Sequence, residues 1–312
     1  MTPLIALTGA TGFIGQHLLR ELPKRGYRIR ALLRRPTDLP IQAASAVIGD
    51  IVRPQNMAAA LEGVDAIIHS AGIAHAMSGA PEDDYRVLNT EATINLARAA
   101  HRAGVRRFVF LSSIRAQSGP VADAVVTEAD EAKPTNAYGA SKLAAEEGLA
   151  QLDLDWVALR PVLVYGPGVK GNMAEMLRLA RSPYPLPLGG LSARRSLLSL
   201  DNLVAAIDAV LAAPEPLRRP FVIADREALT VAEMVAALRR GLGRGPGLFP
   251  VPTALLRAFC QATGREAIFT RLAGPLVVDA SALARLGWSP TVATQEGLER
   301  LARGAGNGPS AR

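Results

Sequence analysis

The sequence predicts an α/β chain organised on a doubly wound parallel sheet, with a smaller, discontinuous lobe in its C-terminal half. Three observations carry this. Short, wholly apolar runs alternate with helical patterns through the first half of the 312 residues, as strands covered on both faces by helices require. The first such run, Leu4 to Thr8, passes directly into Gly9-Ala10-Thr11-Gly12-Phe13-Ile14-Gly15 and then a helical pattern, Gln16 to Leu22. From Gly168 the composition shifts, and Pro183, Pro185 and Pro187 lead to Gly189-Gly190, a rigid loop.

Strand, glycine turn and helix in that order form a dinucleotide-binding arrangement of the Rossmann type. The glycines permit a tight turn and close approach to a pyrophosphate, and the helix N-terminus offers N–H donors and a positive dipole end. The spacing is G-x-x-G-x-x-G rather than G-x-G-x-x-G. A second strand, Tyr27 to Leu33, ends in Arg34-Arg35. A carboxylate at that point suits a ribose 2′-hydroxyl and an arginine suits a 2′-phosphate, so the pair favours NADP over NAD. Two solvated loop arginines are the alternative.

A third strand is expected over Ala46 to Asp50, a helix over Asn56 to Leu61 and a fourth strand from Asp65 to His69, closing on Ser70-Ala71-Gly72. A long amphipathic helix follows from Asp84 to Ala103 and carries Asn89. The fifth strand, Arg107 to Leu111, ends in Ser112-Ser113, and the sixth runs from Trp156 to Arg160. Ligands of such sheets bind beyond the strands' carboxyl ends. Gly12, Asp50, Ala71, Ser113 and Tyr138 all fall there.

Tyr138 and Lys142 stand four residues apart in a helix expected over Ala137 to Gln151, which puts both side chains on one face. A nearby ammonium favours the phenolate and brings a tyrosine toward the working range of a general base. Tyr-x-x-x-Lys alone occurs by chance in many helices, and its weight here comes from its neighbours in the chain.

Later, Arg194 to Leu200 reads as a short strand, Asp201 as the cap of a helix from Asn202 to Ala212, and Phe221 to Ile223 as one more sheet strand. Thr230 and Glu233 have the spacing of a capping box. Further helices are expected near Thr253–Ala262, Ser281–Leu286 and Thr294–Arg303. The resulting division is a dinucleotide-binding domain of residues 1–167 with 191–226 returning to the sheet, a second lobe of 168–190 and 227–304, and a frayed tail at 305–312.

The net charge is +7, but the arginines are scattered, and aromatic residues make up only 4%. That leaves no basic arm and no stacking platform, so nucleic acid is not an expected partner. A phosphate-bearing small molecule explains the positive charge as well. The histidines lack metal-ligand spacing, so no metal is expected. The single cysteine, Cys260, fits a reducing compartment and reads as core packing in an apolar helix. No apolar run approaches the ~18 residues of a membrane span, and the apolar N-terminus meets glycine too soon for a signal peptide. The expected location is the cytoplasm.

The glycine turn, Ser113 and the Tyr138/Lys142 pair, in this order, resemble the extended short-chain dehydrogenase/reductases, the family of nucleotide-sugar epimerases, dehydratases and ketoreductases. The likeness runs from Leu4 to about Leu301. It implies cofactor contacts at Gly9, Gly12, Phe13, Ile14, Gly15, Asp50, Ile51, Ala71, Asn89 and Pro161, and a catalytic triad of Ser113, Tyr138 and Lys142. Val164 to Asn172, Leu186 to Gly189 and Arg194 to Leu197 are similar to UDP-sugar 4-epimerases and 4-ketoreductases of N-acetylated hexosamines. There Asn172 and Arg195 would address the diphosphate and Leu188 would border the substrate. Read by itself, Arg195 is a surface charge. The resemblance also implies a homodimer through the Asn89 and Tyr138 helices.

Dehydratases of this family carry an Asp-Glu pair after the serine or threonine, where this chain has Ile114 and Arg115. Ketoreduction and 4-epimerisation remain, and Arg34/Arg35 tilts the sequence reading toward ketoreduction. The segments Ile73–Gly79, Arg115–Ser118 and Tyr184–Gly190 are expected to select the sugar. A dinucleotide-binding scaffold without turnover is the reading from another class, and the intact triad argues against it.

Overall fold

In the computed structural model, which describes residues 2–41, 43–73, 81–264 and 266–306, the chain builds its main sheet strand by strand. The strands are β1 (Leu4–Thr8), β2 (Arg28–Leu33), β3 (Ala44–Val47), β4 (Ala66–His69), β5 (Arg107–Leu111), β6 (Asp155–Pro161), β7 (Leu163–Tyr165), β8 (Arg194–Arg195), β9 (Leu197–Ser199), β10 (Arg219–Ile223) and β11 (Leu229–Thr230). Seven of them form one sheet in the order β10-β6-β5-β4-β1-β2-β3, and every neighbouring pair is parallel. The order reverses at β1, the crevice where a doubly wound sheet takes its ligand.

The helices are α1 (Phe13–Glu21), α2 (Met57–Leu61), α3 (Glu82–Tyr85), α4 (Ala92–Arg102), α5 (Ile114–Gln117), α6 (Ala137–Ala150), α7 (Gly171–Ala180), α8 (Leu200–Ala212), α9 (Val231–Gly241), α10 (Thr253–Ala262), α11 (Glu266–Ala273), α12 (Ser281–Ala284) and α13 (Thr294–Gly306). Side chains alternate along each strand. Ile5, Leu7, Val109 and Leu111 face α1 and α8 in one apolar core, while Leu4, Ala6, Phe108 and Phe110 face α2, α4 and α6 in another. A third core gathers α7, α9 and α13 around Tyr165, Leu186 and Leu188. No helix among the described residues is long and apolar enough to cross a membrane.

Several elements differ from expectation for identifiable reasons. β3 lies earlier than Ala46–Asp50 because it is a largely exposed edge strand with no apolar run at its start, and Gly49 turns the chain away at φ +71°. The expected helix of Asp84 to Ala103 is interrupted: a π-helical stretch, Arg86–Glu91, separates α3 from α4, a distortion found often at functional sites. The cap of α8 is Ser199, whose hydroxyl accepts from Asn202 N, so Asp201 occupies the first turn instead. The expected strand Arg194–Leu200 splits at Ser196. β8 pairs antiparallel with β11 and β9 pairs parallel with β7. The Thr230/Glu233 capping box forms as expected.

α7 and α11 were not foreseen. α13 continues to Gly306, so 305–306 are helical, and 307–312 lie outside the described residues. Helix α10 contains no buried residue. Leu255 and Phe259 are each 62% exposed, which places Cys260 at the edge of the lobe rather than in its core.

Candidate active site

The turn after β1 is built by backbone contact. Gly9 adopts φ +70°, and a Cβ there would come 2.8 Å from Ala71 N. Gly12 N donates to Gly9 O at 2.9 Å. A Cβ on Gly15 would meet Gly9 O at 2.0 Å, so helix and turn pack without side chains. Gly12 is the N-cap of α1, and no side chain caps that end, which leaves its donors to an anion. Phe13 and Ile14 are half-buried against the sheet core, so their side chains are committed to packing.

Beyond the turn lies a cleft of about 880 Å³. Thr8 to Thr11 line one end, Arg34 and Arg35 follow from β2, Asp50 and Ile51 from β3, and Ala71 from β4. Arg34 Nη2 stands 3.5 Å from Asp50 Oδ2. The carboxylate missing at the end of β2 is therefore supplied by the end of β3. Both groups are exposed and the pair is weak, but it offsets the charge that a 2′-phosphate would meet. The uncapped helix end and the glycine cradle fit a dinucleotide pyrophosphate.

Ser113 and Tyr138 are brought together at the strand ends by two short caps. Ser113 caps α5, its hydroxyl accepting from Arg115 N at 3.1 Å. Asn136 caps α6 by accepting from Gly139 N at 2.8 Å. A Cβ on Gly139 would sit 2.3 Å from Arg115 O, so α5 and α6 meet backbone to backbone. Tyr138 is hydrogen-bonded to Ser113, and its ring lies edge-on to Tyr85 with centroids 6.2 Å apart. Burial, the largest cause, leaves the Tyr138 pKa raised, against the expectation from its neighbouring lysine, although the Ser113 hydrogen bond and the Arg115 charge lower it. Arg115 and Tyr85 were not foreseen as neighbours of the triad.

Lys142 is 5% exposed. Its Nζ donates to Leu111 O at 3.0 Å and lies 4.5 Å from the centroid of the Phe110 ring. Burial brings its pKa down to about 8, with Glu146 opposing the fall. In this state the ammonium is held by strand β5, and the cation acting on Tyr138 is Arg115.

Asn89 is fully buried in the π-helical stretch. Its Oδ1 accepts from Ile73 N at 2.9 Å, and its Nδ2 donates to Ile73 O at 3.2 Å and Ser141 Oγ at 3.1 Å. It thus ties the segment after β4 to the catalytic helix. Behind it runs a buried chain that the sequence reading missed. The Thr93 hydroxyl donates to Asn89 O at 2.7 Å and so accepts from His69 Nε2 at 2.9 Å. Nδ1 of His69 is left to accept the Thr8 hydroxyl at 2.7 Å, and Thr8 Oγ1 takes the N–H groups of Ser70 and Ala71. Burial, then the Lys142 charge, lowers the His69 pKa to about 3, so it serves as a neutral relay of fixed tautomer. The visible signal was two polar residues, Thr8 and His69, ending adjacent apolar strands in register.

The residues expected to meet substrate are less uniform. Asn172 is exposed in the first turn of α7. Leu188 packs into the third core. Arg195 is half-buried and donates to Gly274 O and to Pro120 O; burial and the nearby Arg115 lower its pKa. It is held from the interior rather than being a free surface charge. Pro161 is buried at the end of β6. Of the segment Ile73–Gly79, all but Ile73 lies outside the described residues. Among the described residues no group of three His, Cys, Asp or Glu could hold a metal.

Comparison with known proteins agrees with this geometry. A UDP-glucose 4-epimerase of Vibrio cholerae is 34% identical over 314 aligned positions, covering 97% of this chain and 95% of that one. A ceramide reductase of Caulobacter vibrioides is 27% identical, covering 85% and 81%. Among solved structures, MoeE5 in complex with UDP-glucose and NAD matches with a TM-score of 0.74 at 26% identity, covering 96% and 97%. The model of the NAD dependent epimerase/dehydratase family matches residues 5–224. The chain belongs to that family.

Proposed function

We propose that the chain is a UDP-sugar 4-epimerase that retains NAD. The observation that carries this over ketoreduction is the Arg34–Asp50 pair. Ketoreduction drew its support from two arginines with no acid near them, and Asp50 supplies that acid. The similarity to a UDP-glucose 4-epimerase over nearly the whole of both chains supports the same reading. Residues 168–190 and 227–304 form the substrate lobe in this account.

When bound, the nicotinamide supplies the acceptor and donor of hydride at the sugar C4. Tyr138, as phenolate, takes the proton of the 4-hydroxyl and later returns it to the 4-keto oxygen. Ser113 hydrogen-bonds the same oxygen and fixes its position. Lys142, an ammonium at neutral pH, holds the nicotinamide ribose and adds its charge to that of Arg115 in favouring the Tyr138 phenolate. Arg195 pairs with the diphosphate, and Asn172 borders it. Between departure and return of hydride the ketosugar must present its other face. Ile114 and Arg115 follow Ser113, so no carboxylate there can drive 4,6-dehydration.

Incubation with UDP-glucose or UDP-N-acetylglucosamine, without added cofactor, tests this. The C4 epimer should accumulate to a fixed ratio from either side. Ketoreduction, favoured by Arg35 at the cleft, predicts no epimer and consumption of NADPH only with a 4-keto sugar.

A further inference from the structure

One turn beyond Lys142 on α6, Glu146 is only 3% exposed. A buried carboxylate costs several kcal/mol unless other groups replace its water, and two side chains do so here, with a third behind them. Arg160 Nε lies 3.1 Å from each Glu146 oxygen, and its Nη2 lies 2.5 Å from Oε2. The Ser112 hydroxyl donates to Oε1. Arg160 Nη1 donates to Gln117 Oε1, and Gln117 Nε2 donates to Asp130 O at 2.7 Å. Ser112, Gln117 and Arg160 are each at most 4% exposed.

The location of this cluster matters more than its strength. Ser112 precedes Ser113 at the end of β5, Arg160 precedes Pro161 within β6, and Gln117 ends the helix that Ser113 caps. Tyr138, Lys142 and Glu146 follow one another at a spacing of four, along one helical face. A buried ion pair of this kind adds little net stability over apolar packing of the same volume. Its placement under three pieces of the site asks for another role.

We infer that Glu146 is a positioning residue for the Ser113, Tyr138 and Lys142 set: it locks the catalytic helix to the ends of β5 and β6 and places a carboxylate one turn from Lys142. Lys142 faces the Phe110 ring and Leu111 carbonyl from β5, neutral His69 from β4, the Asn89 and Gly72 region and Tyr138 on its own helix, with Arg115 beyond Tyr138. The Arg160 guanidinium of β6 is paired to the far side of Glu146, and of all these groups it is the Glu146 carboxylate that opposes the effect of burial on Lys142. Loss of that charge would leave a larger neutral fraction of Lys142 at pH 7, and a neutral amine no longer favours the Tyr138 phenolate. The inference rests on the oxidoreductase reading for its purpose, but its test needs no substrate.

The chain has four lysines, Lys24, Lys133, Lys142 and Lys170. Selective ¹³C labelling of lysine therefore gives few Cε signals to follow through a pH titration, with Lys142 assigned by K142R. The parent should titrate near 8. E146Q should move the Lys142 midpoint down by about one pH unit, while E146D, which keeps the charge, should hold it. If E146Q strands Arg160 and does not fold, E146Q/R160M removes both charges, and a smaller fall in the same direction is expected because the Arg160 cation, which also disfavours an ammonium nearby, is gone too. An unchanged midpoint in whichever glutamine variant folds overturns the inference. So does a parent midpoint above ~10, the value of a lysine needing no tuning, and this holds even if neither variant folds. Failure to turn over any UDP-sugar would count against the proposed function and leave this titration unaffected.

Discussion

The parallel sheet and the helical lobe place their functional residues by different means. In the sheet, all seven strands point one way, so every strand end opens on the same edge. The glycine turn, Asp50, Ala71, Ser113 and Pro161 gather there because backbone hydrogen bonding leaves them nowhere else. Within the lobe, and where it meets the sheet half, position depends on distant segments meeting: Leu186 bridges to Leu248, Arg195 to Leu276 and Val126 to Val278. Arg195 is aimed by the carbonyls of Pro120 and Gly274, remote from it in the chain. A strand-end site tolerates much sequence change provided the register holds. A site assembled from loops changes with each loop, which suits the half of the molecule that would choose the sugar.

This contrast can be broken at several points. The largest effect is expected from Tyr138→Phe, which keeps the ring against Tyr85 and removes the exchangeable proton. Turnover should fall by ~10³-fold while dinucleotide binding persists, as measured by steady-state rates and titration calorimetry. Asp225 probes the joint between the two regions. It accepts from Asn202 Nδ2 at 2.6 Å, Ser199 N at 3.0 Å and the Tyr165 hydroxyl at 2.9 Å, and burial raises its pKa from 3.8 to about 6. The folded protein holds that proton more tightly than the unfolded chain does. Its contribution to stability is thus fully present below pH 3.8 and is lost as pH rises through 6, a change of about 3 kcal/mol. Asp225→Asn should flatten this part of the stability profile in denaturant titrations between pH 4 and 7.

Gly15→Ala tests the sheet's own site. The added Cβ would press on Gly9 O at 2.0 Å, and the expected cost is ~1–3 kcal/mol together with loss of dinucleotide binding. Thermal melts with and without NAD would read both. The smallest effect is expected where the lobe meets the sheet half: Arg195→Ala should raise KM for the nucleotide sugar by about tenfold, one lost charge-assisted contact, with cofactor affinity unchanged. A change in cofactor affinity there would dissolve the distinction between the regions.

What could be read from residues alone follows the same division. Leu4–Thr8 and its glycine turn are contiguous, and Tyr138 with Lys142 lies on one helix face, so local pattern sufficed. The Arg34–Asp50 pair joins the ends of two strands and has no local signature. Glu146 looked like one more helix former in an Ala- and Leu-rich stretch, because period identifies a helix face but not the arginine that will meet it. The π-helical stretch that seats Asn89 left no mark in the spacing of apolar residues. Helix α7, opening at Gly171 after Gly166-Pro167-Gly168, resembled the loop before it. Cys260 misled for the opposite reason: an apolar helix was correctly located, but composition does not say whether anything covers it.

The most direct test of the account is to denature freshly purified protein and identify the nucleotide it releases. Retained, self-recycling cofactor is what separates epimerisation from ketoreduction. The account predicts NAD or NADH in near-stoichiometric amount. A protein that purifies empty and then binds NADPH more tightly than NADH would contradict it, and would return Arg34 and Arg35 to the recognition of a 2′-phosphate.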